Sequence, residues 1–157
     1  MTTNAPTHAL VRVPLATASE RAAFRDRHLD RVARFLHDHL GRYGDPLEHV
    51  RAALLRASGD GPRDGGSVTL AEIDGKLVGA VVTNATHMSG YTPEHLLVYV
   101  ATHADHRGQG IGRALLQHAV EELPGSVALH VEPDNPAVGL YRALGFTNKY
   151  LEMRLQR

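Results

Sequence analysis

The chain has 157 residues, the length of one ordinary domain, and we expect a single domain over residues 1–157. It has no cysteine, which excludes disulfides, thiolate metal sites, iron–sulfur clusters and a cysteine nucleophile. Seventeen Lys and Arg residues balance 17 Asp and Glu residues, so the charge indicates neither a nucleic-acid-binding surface nor a polybasic membrane anchor.

Targeting segments and metal-ligand patterns are not found in the sequence. Residues 1–6 have neither the basic nor the apolar region of an export signal, which favours a cytoplasmic protein. The longest apolar runs, Leu77–Val82 and Leu96–Ala101, are far shorter than the ~20 residues of a membrane-spanning helix. The 11 histidines are scattered without ligand spacing, so we expect no bound metal.

The first part of the chain predicts one strand and two helices. His8–Leu15 is apolar-rich and bounded by prolines, which is typical of a strand. Apolar residues at helical spacing then predict one helix over residues 17–40, with a capping-box sequence at its start and Gly41 at its end. Asp45 and Pro46 predict the start of a second helix, with Asp45 as its cap.

The middle of the chain predicts three consecutive strands. Val68–Ile73 and Lys76–Thr83 form a hairpin, because the Asp74-Gly75 pair between them favours a tight two-residue turn. Leu96–Thr102 is apolar throughout, which favours a central strand with both faces covered.

The last part of the chain returns to alternating helices and strands. A glycine-rich turn leads into a helix over 111–123, followed by a strand at Ser126–Glu132 with alternating side chains. A short helix over 135–144 precedes a last strand pair or long bent strand at Phe146–Leu155. The order β-α-α-β-β-β-α-β-α-β predicts an α/β fold, a single mixed sheet with helices on both faces.

The turn before the fourth helix has the composition of an anion-binding site. The turn has the sequence Arg107-Gly108-Gln109-Gly110-Ile111-Gly112. Its glycines allow a ligand to come close to the backbone, and the N-terminus of the following helix supplies unpaired N–H groups. Arg107 and Arg113 could add charge to a diphosphate. The turn is not a P-loop, because no Lys-Ser/Thr follows it. A glycine-rich turn without a ligand is the alternative.

Two further motifs follow the glycine turn along the chain. They are Asn135-Pro136-Ala137 and Leu140-Tyr141-Arg142-Ala143-Leu144-Gly145-Phe146. Together with the glycine turn, this half of the chain resembles the GNAT superfamily of N-acetyltransferases. The resemblance covers residues 67–155 by motif and the whole chain by element order, and it implies a single GNAT-like acetyltransferase domain.

The resemblance implies that acetyl-coenzyme A (acetyl-CoA) binds between the fourth and fifth strands, where they splay apart. The pantetheine arm would pair with the backbone of Val100, Ala101 and Thr102. The diphosphate would bind the backbone amides of Arg107, Gly108, Gln109, Gly110, Ile111, Gly112 and Arg113. The acetyl group would then pass directly from the thioester to a primary amine, with no covalent enzyme intermediate.

The resemblance also gives two residues roles near the thioester. Tyr141 lies where the family keeps a tyrosine that protonates the departing thiolate, and an ordinary phenol is protonated at neutral pH. The alternative is a core aromatic that only packs. Asn135 matches a family asparagine near the pantetheine or acetyl group, although an Asn before Pro136 also fits a helix cap. Asp134 could take the same position.

The general base is where the sequence departs from well-known family members. Several members keep a Glu or His at positions occupied here by Leu96 and Val98, which cannot accept a proton. Others use an acid on the fifth strand, where the matching residue is His130, and an imidazole suits a base near neutral pH. The alternatives are an exposed strand histidine without a role, and a base that is Glu132, Glu94, His87 or ordered water.

The resemblance also indicates where the acceptor would bind. The family builds its acceptor pocket from the first helices and the loops near the third and fourth strands, which nominates His39, Tyr43, Glu72, Tyr91 and Glu94. A small-molecule amine is the first expectation, and a peptide acceptor, as in a protein lysine or N-terminal acetyltransferase, is an alternative. A non-catalytic acyl-CoA-binding regulator is a further alternative for the function of the protein. The family often dimerises, so a homodimer is also expected, without nucleic-acid or membrane partners.

Overall fold

The sheet has five strands in the order in which they occur along the chain. The structure is a computed structural model that describes residues 8–157. The strands are β1 (Ala9–Arg12), β2 (Gly66–Ile73), β3 (Lys76–Ala85), β4 (His95–Thr102) and β5 (Val127–Leu129). Strands β1 to β4 pair antiparallel, and β5 pairs parallel to β4. The predicted mixed sheet is therefore confirmed.

Helices cover both faces of this sheet, as predicted. They are α1 (Ala18–Arg27), α2 (Leu29–Leu40), α3 (Leu47–Ala57), α4 (Ile111–Glu121) and α5 (Val138–Ala143). Helices α1 to α3 bury their apolar side chains against one face, in a core that includes Leu36 and Leu54. Helices α4 and α5 cover the other face, around Leu115 and Leu116.

The single helix predicted over 17–40 is wrong, because the chain forms two helices that meet at His28. The capping box is present, with Thr17 accepting from the Glu20 amide and Glu20 accepting from the Thr17 amide. Phe24 and Leu29 are both buried, yet on one straight helix they would lie about 140° apart. The non-helical backbone at His28 (φ −125°, ψ −22°) lets both side chains reach the core.

The hairpin predicted at Asp74-Gly75 is confirmed. Both turn residues have positive φ, 50° and 73°, as a type I′ turn requires. Ile73 and Lys76 pair directly across the turn.

Strand β4 contains the irregularity that opens the sheet. Thr83 of β3 pairs with Leu97, whereas the preceding Val82 pairs with Tyr99, so Val98 is an extra residue in β4. On its other side, β4 pairs with β5 only over His95–Leu97. The second half of β4 therefore leaves one backbone edge free of β5, and a cavity opens there.

Three strand predictions are corrected by the structure. The last strand predicted at Phe146–Leu155 is not formed, because within the described residues this segment pairs with no strand of the sheet, and its apolar side chains such as Leu151 are exposed. The strand predicted at Ser126–Glu132 is limited to β5, because β4 diverges after Leu97. The strand predicted at His8–Leu15 ends at Arg12, two residues before Pro14, which has no N–H to donate.

Candidate active site

A cavity of about 610 Å³ lies where β4 and β5 separate. Its walls come from β4, the α2–α3 connection, the glycine turn and the segment from the end of β5 to α5. The residues proposed from the sequence for catalysis or cofactor binding that reach this wall are Val100, Ala101, Thr102, Arg107, Gly112, His130, Asn135 and Tyr141, and those proposed for the acceptor pocket are His39 and Tyr43. Residues from distant parts of the sequence thus meet at one site.

The other residues of the glycine turn lie outside the cavity wall. Gly108, Gln109 and Arg113 are exposed, whereas the Ile111 side chain is 2% exposed in the core and offers a ligand only its backbone. The turn reaches the helix through Gly110, which has φ +81° and open space around it. A side chain there would adopt a left-handed backbone conformation that only glycine takes without strain.

The N-terminus of α4 is available to an anion. Its first backbone hydrogen bond runs from the Ala114 amide to the Gly110 carbonyl, and no side chain caps the helix. The amides of residues 111–113 precede this bond, and the positive end of the helix lies behind them. Gly112 packs against β4 so closely that a Cβ would lie 3.1 Å from Thr102 Oγ1. These features fit the expected diphosphate site.

Arg107 joins the glycine turn to the opposite wall. Its Nη2 donates to the His39 carbonyl at 2.7 Å, and its Nε donates to the Thr102 carbonyl at 3.4 Å. These bonds hold the guanidinium between the end of α2 and the end of β4. A positive charge is thus fixed at the end of the cavity where the glycine turn lies.

His39, which the sequence nominated for the acceptor pocket, lies in the wall beside Arg107. Its Nδ1 accepts a hydrogen bond from the Ala104 amide at 3.3 Å, so the neutral ring carries its proton on Nε2. Its ring contacts that of His103, with centroids 4.2 Å apart. Burial, followed by the charge of His103, lowers the pKa of His39, which favours this neutral form.

Tyr141 supplies a buried phenol. It lies on α5, is 8% exposed and packs edge-on against Phe146, with ring centroids 5.9 Å apart. Burial raises the pKa of the Tyr141 phenol, because the charged phenolate is disfavoured away from water. The hydroxyl therefore stays protonated at neutral pH, which is the state that a general acid needs.

Asn135, rather than Asp134, reaches the cavity. Its Oδ1 accepts from the Ala137 amide at 2.9 Å, a contact within the turn before α5. Because α5 begins at Val138 without a side-chain cap, the helix start predicted at residue 135 and the alternative of Asn135 as its cap are wrong. The Asn135 side-chain NH2 remains available to donate hydrogen bonds to a ligand. The Asp134 carboxylate instead binds Arg42.

Contacts between Arg42, Tyr43 and Asp134, here called the clasp, join two walls of the cavity. Arg42 forms an ion pair with Asp134 and donates to the Tyr43 hydroxyl at 2.6 Å. The Tyr43 hydroxyl donates to the Asp134 carbonyl at 3.1 Å. The clasp therefore ties the α2–α3 connection to the loop before α5, although exposed ion pairs of this kind stabilise by only ~0–1 kcal/mol.

Among the candidate bases, His130 alone lines the cavity, and the described Glu132, Glu94 and His87 do not. Glu94 has a structural contact, because its Oε2 accepts from the Ser126 amide at 2.7 Å. That bond lowers the pKa of Glu94 and makes it a weaker base. His87 lies within 2.9 Å of the Asp64 carbonyl in a separate loop.

Two other residues nominated for the acceptor pocket also lie elsewhere. Glu72 forms an ion pair with Arg31 at 3.1 Å, and Tyr91 is 84% exposed. Neither lines the cavity.

A carboxylate that the sequence analysis missed lies in the wall. Asp45 does not cap α3, which begins at Leu47 without a side-chain cap, so that prediction is wrong. Its Oδ2 instead accepts from the Tyr99 hydroxyl at 2.6 Å. Burial, and then this bond to Asp45, raises the pKa of Tyr99. The two residues are far apart in the sequence, and no local signal connects them.

The sheet that opens beside an uncapped helix and a buried phenol defines an acyltransferase-like site. The family model described as "Acetyltransferase (GNAT) family" matches residues 29–146. The chain therefore belongs to the GNAT family of acetyltransferases, and it is an N-acetyltransferase of the acetyl-CoA-dependent class. The family resemblance read from the sequence is confirmed.

Solved structures share the fold at low sequence identity. An aminoglycoside N-acetyltransferase in complex with CoA matches with a TM-score of 0.70 and 13% identity, over 100% of this chain and 99% of the other. A ribosomal-protein-alanine N-acetyltransferase from Brucella melitensis biovar Abortus matches with a TM-score of 0.58 and 18% identity, over 96% of this chain and 99% of the other. An aminoglycoside acetyltransferase from an uncultured soil metagenomic sample, in complex with sisomicin, matches with a TM-score of 0.56 and 18% identity. This match covers 96% of this chain and 95% of the other.

A search of curated protein sequences finds no significant match to the chain. Within residues 8–157, no helix is both long and apolar enough to cross a membrane. The same residues contain no group of three or more side chains arranged to hold a metal ion.

Proposed function

We propose that the protein, as a single domain over residues 1–157, transfers an acetyl group from acetyl-CoA directly to the primary amine of a small molecule. The observation that carries this proposal is the cavity between β4 and β5. It brings together a free strand edge, an uncapped helix N-terminus and the protonated phenol of Tyr141.

The residues around this cavity suit each part of the donor. The amides of residues 111–113 and the charges of Arg107 and Arg113 would bind the diphosphate. The free edge of β4 at Val100–Thr102 offers backbone hydrogen bonds to the amides of the pantetheine arm. Asn135 would hold the arm near the thioester. When bound, acetyl-CoA supplies an acetyl group activated as a thioester.

Two side chains would then move the protons of the reaction. An alkylamine is protonated at neutral pH and must lose a proton before its nitrogen can attack. His130 accepts that proton, because it is the candidate base that lines the cavity. Tyr141 donates its proton to the departing sulfur as the new carbon–nitrogen bond replaces the carbon–sulfur bond.

The clasp favours a small acceptor over a protein. A peptide acceptor needs an open groove across the thioester, whereas the bonds of Arg42 and Tyr43 to Asp134 connect the two walls. A non-catalytic acyl-CoA-binding protein is the second candidate, because the apolar Leu96 and Val98 occupy positions where other family members keep a base.

An acetylation screen tests this proposal. Purified protein is incubated with acetyl-CoA and a panel of small amines and amine-bearing peptides, and released thiol and acetylated product are both measured. We expect transfer to small amines, with little thiol release when no amine is present. Tight acetyl-CoA binding without transfer would instead identify a binding protein, and transfer to peptides alone would identify a protein acetyltransferase.

We also propose that the protein is a homodimer. The C-terminal segment exposes Tyr150, Leu151, Met153 and Leu155, each at least 74% exposed, and such apolar surface is typical of an interaction site. Sedimentation velocity of the full chain tests this, and a monomer at micromolar concentration would contradict it.

A further inference from the structure

The pair formed by Asp45 and Tyr99 has no role in the transfer chemistry described above. Tyr99 is 7% exposed, and its hydroxyl donates to Asp45 Oδ2 at 2.6 Å, which fixes the carboxylate in the cavity wall. The helix that follows, α3, makes no use of this carboxylate as a cap. An N-terminal cap is worth ~1 kcal/mol, so Asp45 gives up a stabilising contact for its present position.

Asp45 and Tyr141 reach the cavity from different sides of the sheet. Tyr99 packs with the side chains of α2 and α3 on one face, whereas Tyr141 packs with those of α4 on the other. Both residues nevertheless line the same cavity, because β5 has left the sheet at this point. A molecule in the cavity can therefore contact both Tyr141 and Asp45.

Positively and negatively charged side chains both line the cavity. Arg107 places a positive charge at the glycine turn, where the diphosphate is expected. Arg154 also lines the wall, where its guanidinium binds Glu152 and lies close enough to Asp45 for the Asp45 charge to contribute to the raised pKa of Arg154. Asp45 uses Oδ2 for Tyr99, and within residues 8–157 its Oδ1 accepts no side-chain hydrogen bond. Asp45 is therefore a carboxylate in the wall with an oxygen available for a ligand.

We propose that Asp45, oriented by Tyr99, binds a second ammonium group of the acceptor, one other than the nitrogen that is acetylated. This inference rests on the proposed function and narrows its substrate class to diamines and polyamines, amino sugars included. The second ammonium keeps its charge and binds Asp45 by a charge-assisted hydrogen bond. The reacting amine, at the other end of the molecule, is then held near Tyr141 and His130.

Two matched acceptors and two variants test this assignment. The acceptors are an aliphatic diamine and the amino alcohol of equal length, in which a hydroxyl replaces the second amine. In the wild-type protein we expect the diamine to have a KM at least about tenfold lower, following the strength of hydrogen bonds to charged groups. In Asp45→Asn, which still accepts from Tyr99, the KM for the diamine should rise to that of the amino alcohol, with kcat little changed.

Tyr99→Phe leaves the charge of Asp45 but removes the bond that orients it. We expect the same loss of preference for the diamine, but smaller, because Tyr99 is a positioning residue. Asp26→Asn is the control, since Asp26 is an exposed carboxylate on α1 outside the cavity. It removes one negative charge and should leave the preference for the diamine unchanged.

The outcomes separate this inference from the proposed function. If wild-type protein acetylates amines but does not distinguish the two acceptors, or if Asp45→Asn keeps the preference, the Asp45 assignment is overturned. If wild-type protein acetylates no amine, the proposed function fails instead. Calorimetry of both amines with the wild-type protein saturated with CoA then tests Asp45 independently. Tighter binding of the diamine supports the assignment, and equal binding overturns it.

Discussion

The Gly110→Glu variant places a side chain at the point where the diphosphate is expected to bind. A Cβ at this position would meet no atom within 4 Å, so the substitution creates no steric clash in the fold. Its φ of +81° is unfavourable for a side chain and costs ~1–2 kcal/mol. The new carboxylate would lie beside the amides of residues 111–113 and compete with the diphosphate for them.

The electrostatic effect alone is large enough to measure. Two like charges ~5 Å apart repel by about 1 kcal/mol in water and by about 3 kcal/mol at an effective dielectric constant of 20. The glycine turn is exposed, so we expect a value between these limits. With the loss of close backbone approach added, the affinity for acetyl-CoA should fall by at least about tenfold.

Gly90→Glu is a matched control for this variant. Gly90 has φ +80°, a Cβ there would likewise meet no atom within 4 Å, and the residue lies in the β3–β4 connection outside the cavity wall. The control variant carries the same strain and the same added charge. Calorimetric titration with acetyl-CoA should show weak binding for Gly110→Glu and wild-type binding for Gly90→Glu. Equal affinities in both folded variants would refute the assignment of the turn as the diphosphate site.

Three further predictions concern the phenols and histidines. Tyr141→Phe should lower kcat by about 100-fold with little change in acetyl-CoA affinity, and a variant that keeps its kcat would leave Tyr141 a packing role only. His130→Ala should lower kcat by about 100-fold, whereas His118→Ala, on α4 and outside the cavity wall, should leave kcat unchanged. Burial raises the pKa values of Tyr99 and Tyr141, so these phenols ionise at lower pH in the unfolded chain. Ionisation of these phenols should therefore leave the free energy of unfolding, measured by urea titration, unchanged below about pH 10 and lower it above about pH 10. This loss of stability should be smaller in Tyr99→Phe, which has one ionising phenol fewer.

The parts of the fold that depend on adjacent residues could be predicted from the sequence. The hairpin at Asp74-Gly75 and the glycine turn before α4 follow from the backbone preferences of the residues that form them. The resemblance to the GNAT family placed Tyr141 and Asn135 at the same cavity, and the structure brings both into its wall.

The features that depend on distant partners could not be predicted. Asp45 precedes Pro46, which is typical of a helix cap, and only the fold shows that Tyr99 lies beside Asp45. The apolar residues of Phe146–Leu155 are typical of a strand, but a strand also needs a hydrogen-bonded partner, and within the described residues this segment pairs with no strand of the sheet. The extra residue at Val98 depends on the pairing of β3 with β4, which the composition of β4 alone does not reveal.

The free edge of β4 has a consequence for the lifetime of the protein. A donor that pairs with this edge completes the sheet, so part of its binding energy also opposes unfolding. A ligand present at 100 times its Kd stabilises the folded state by about 2.7 kcal/mol, which lowers the unfolded population roughly 100-fold. Since proteases in the cell act mainly on unfolded chains, the amount of this protein would rise and fall with the supply of its own acetyl donor.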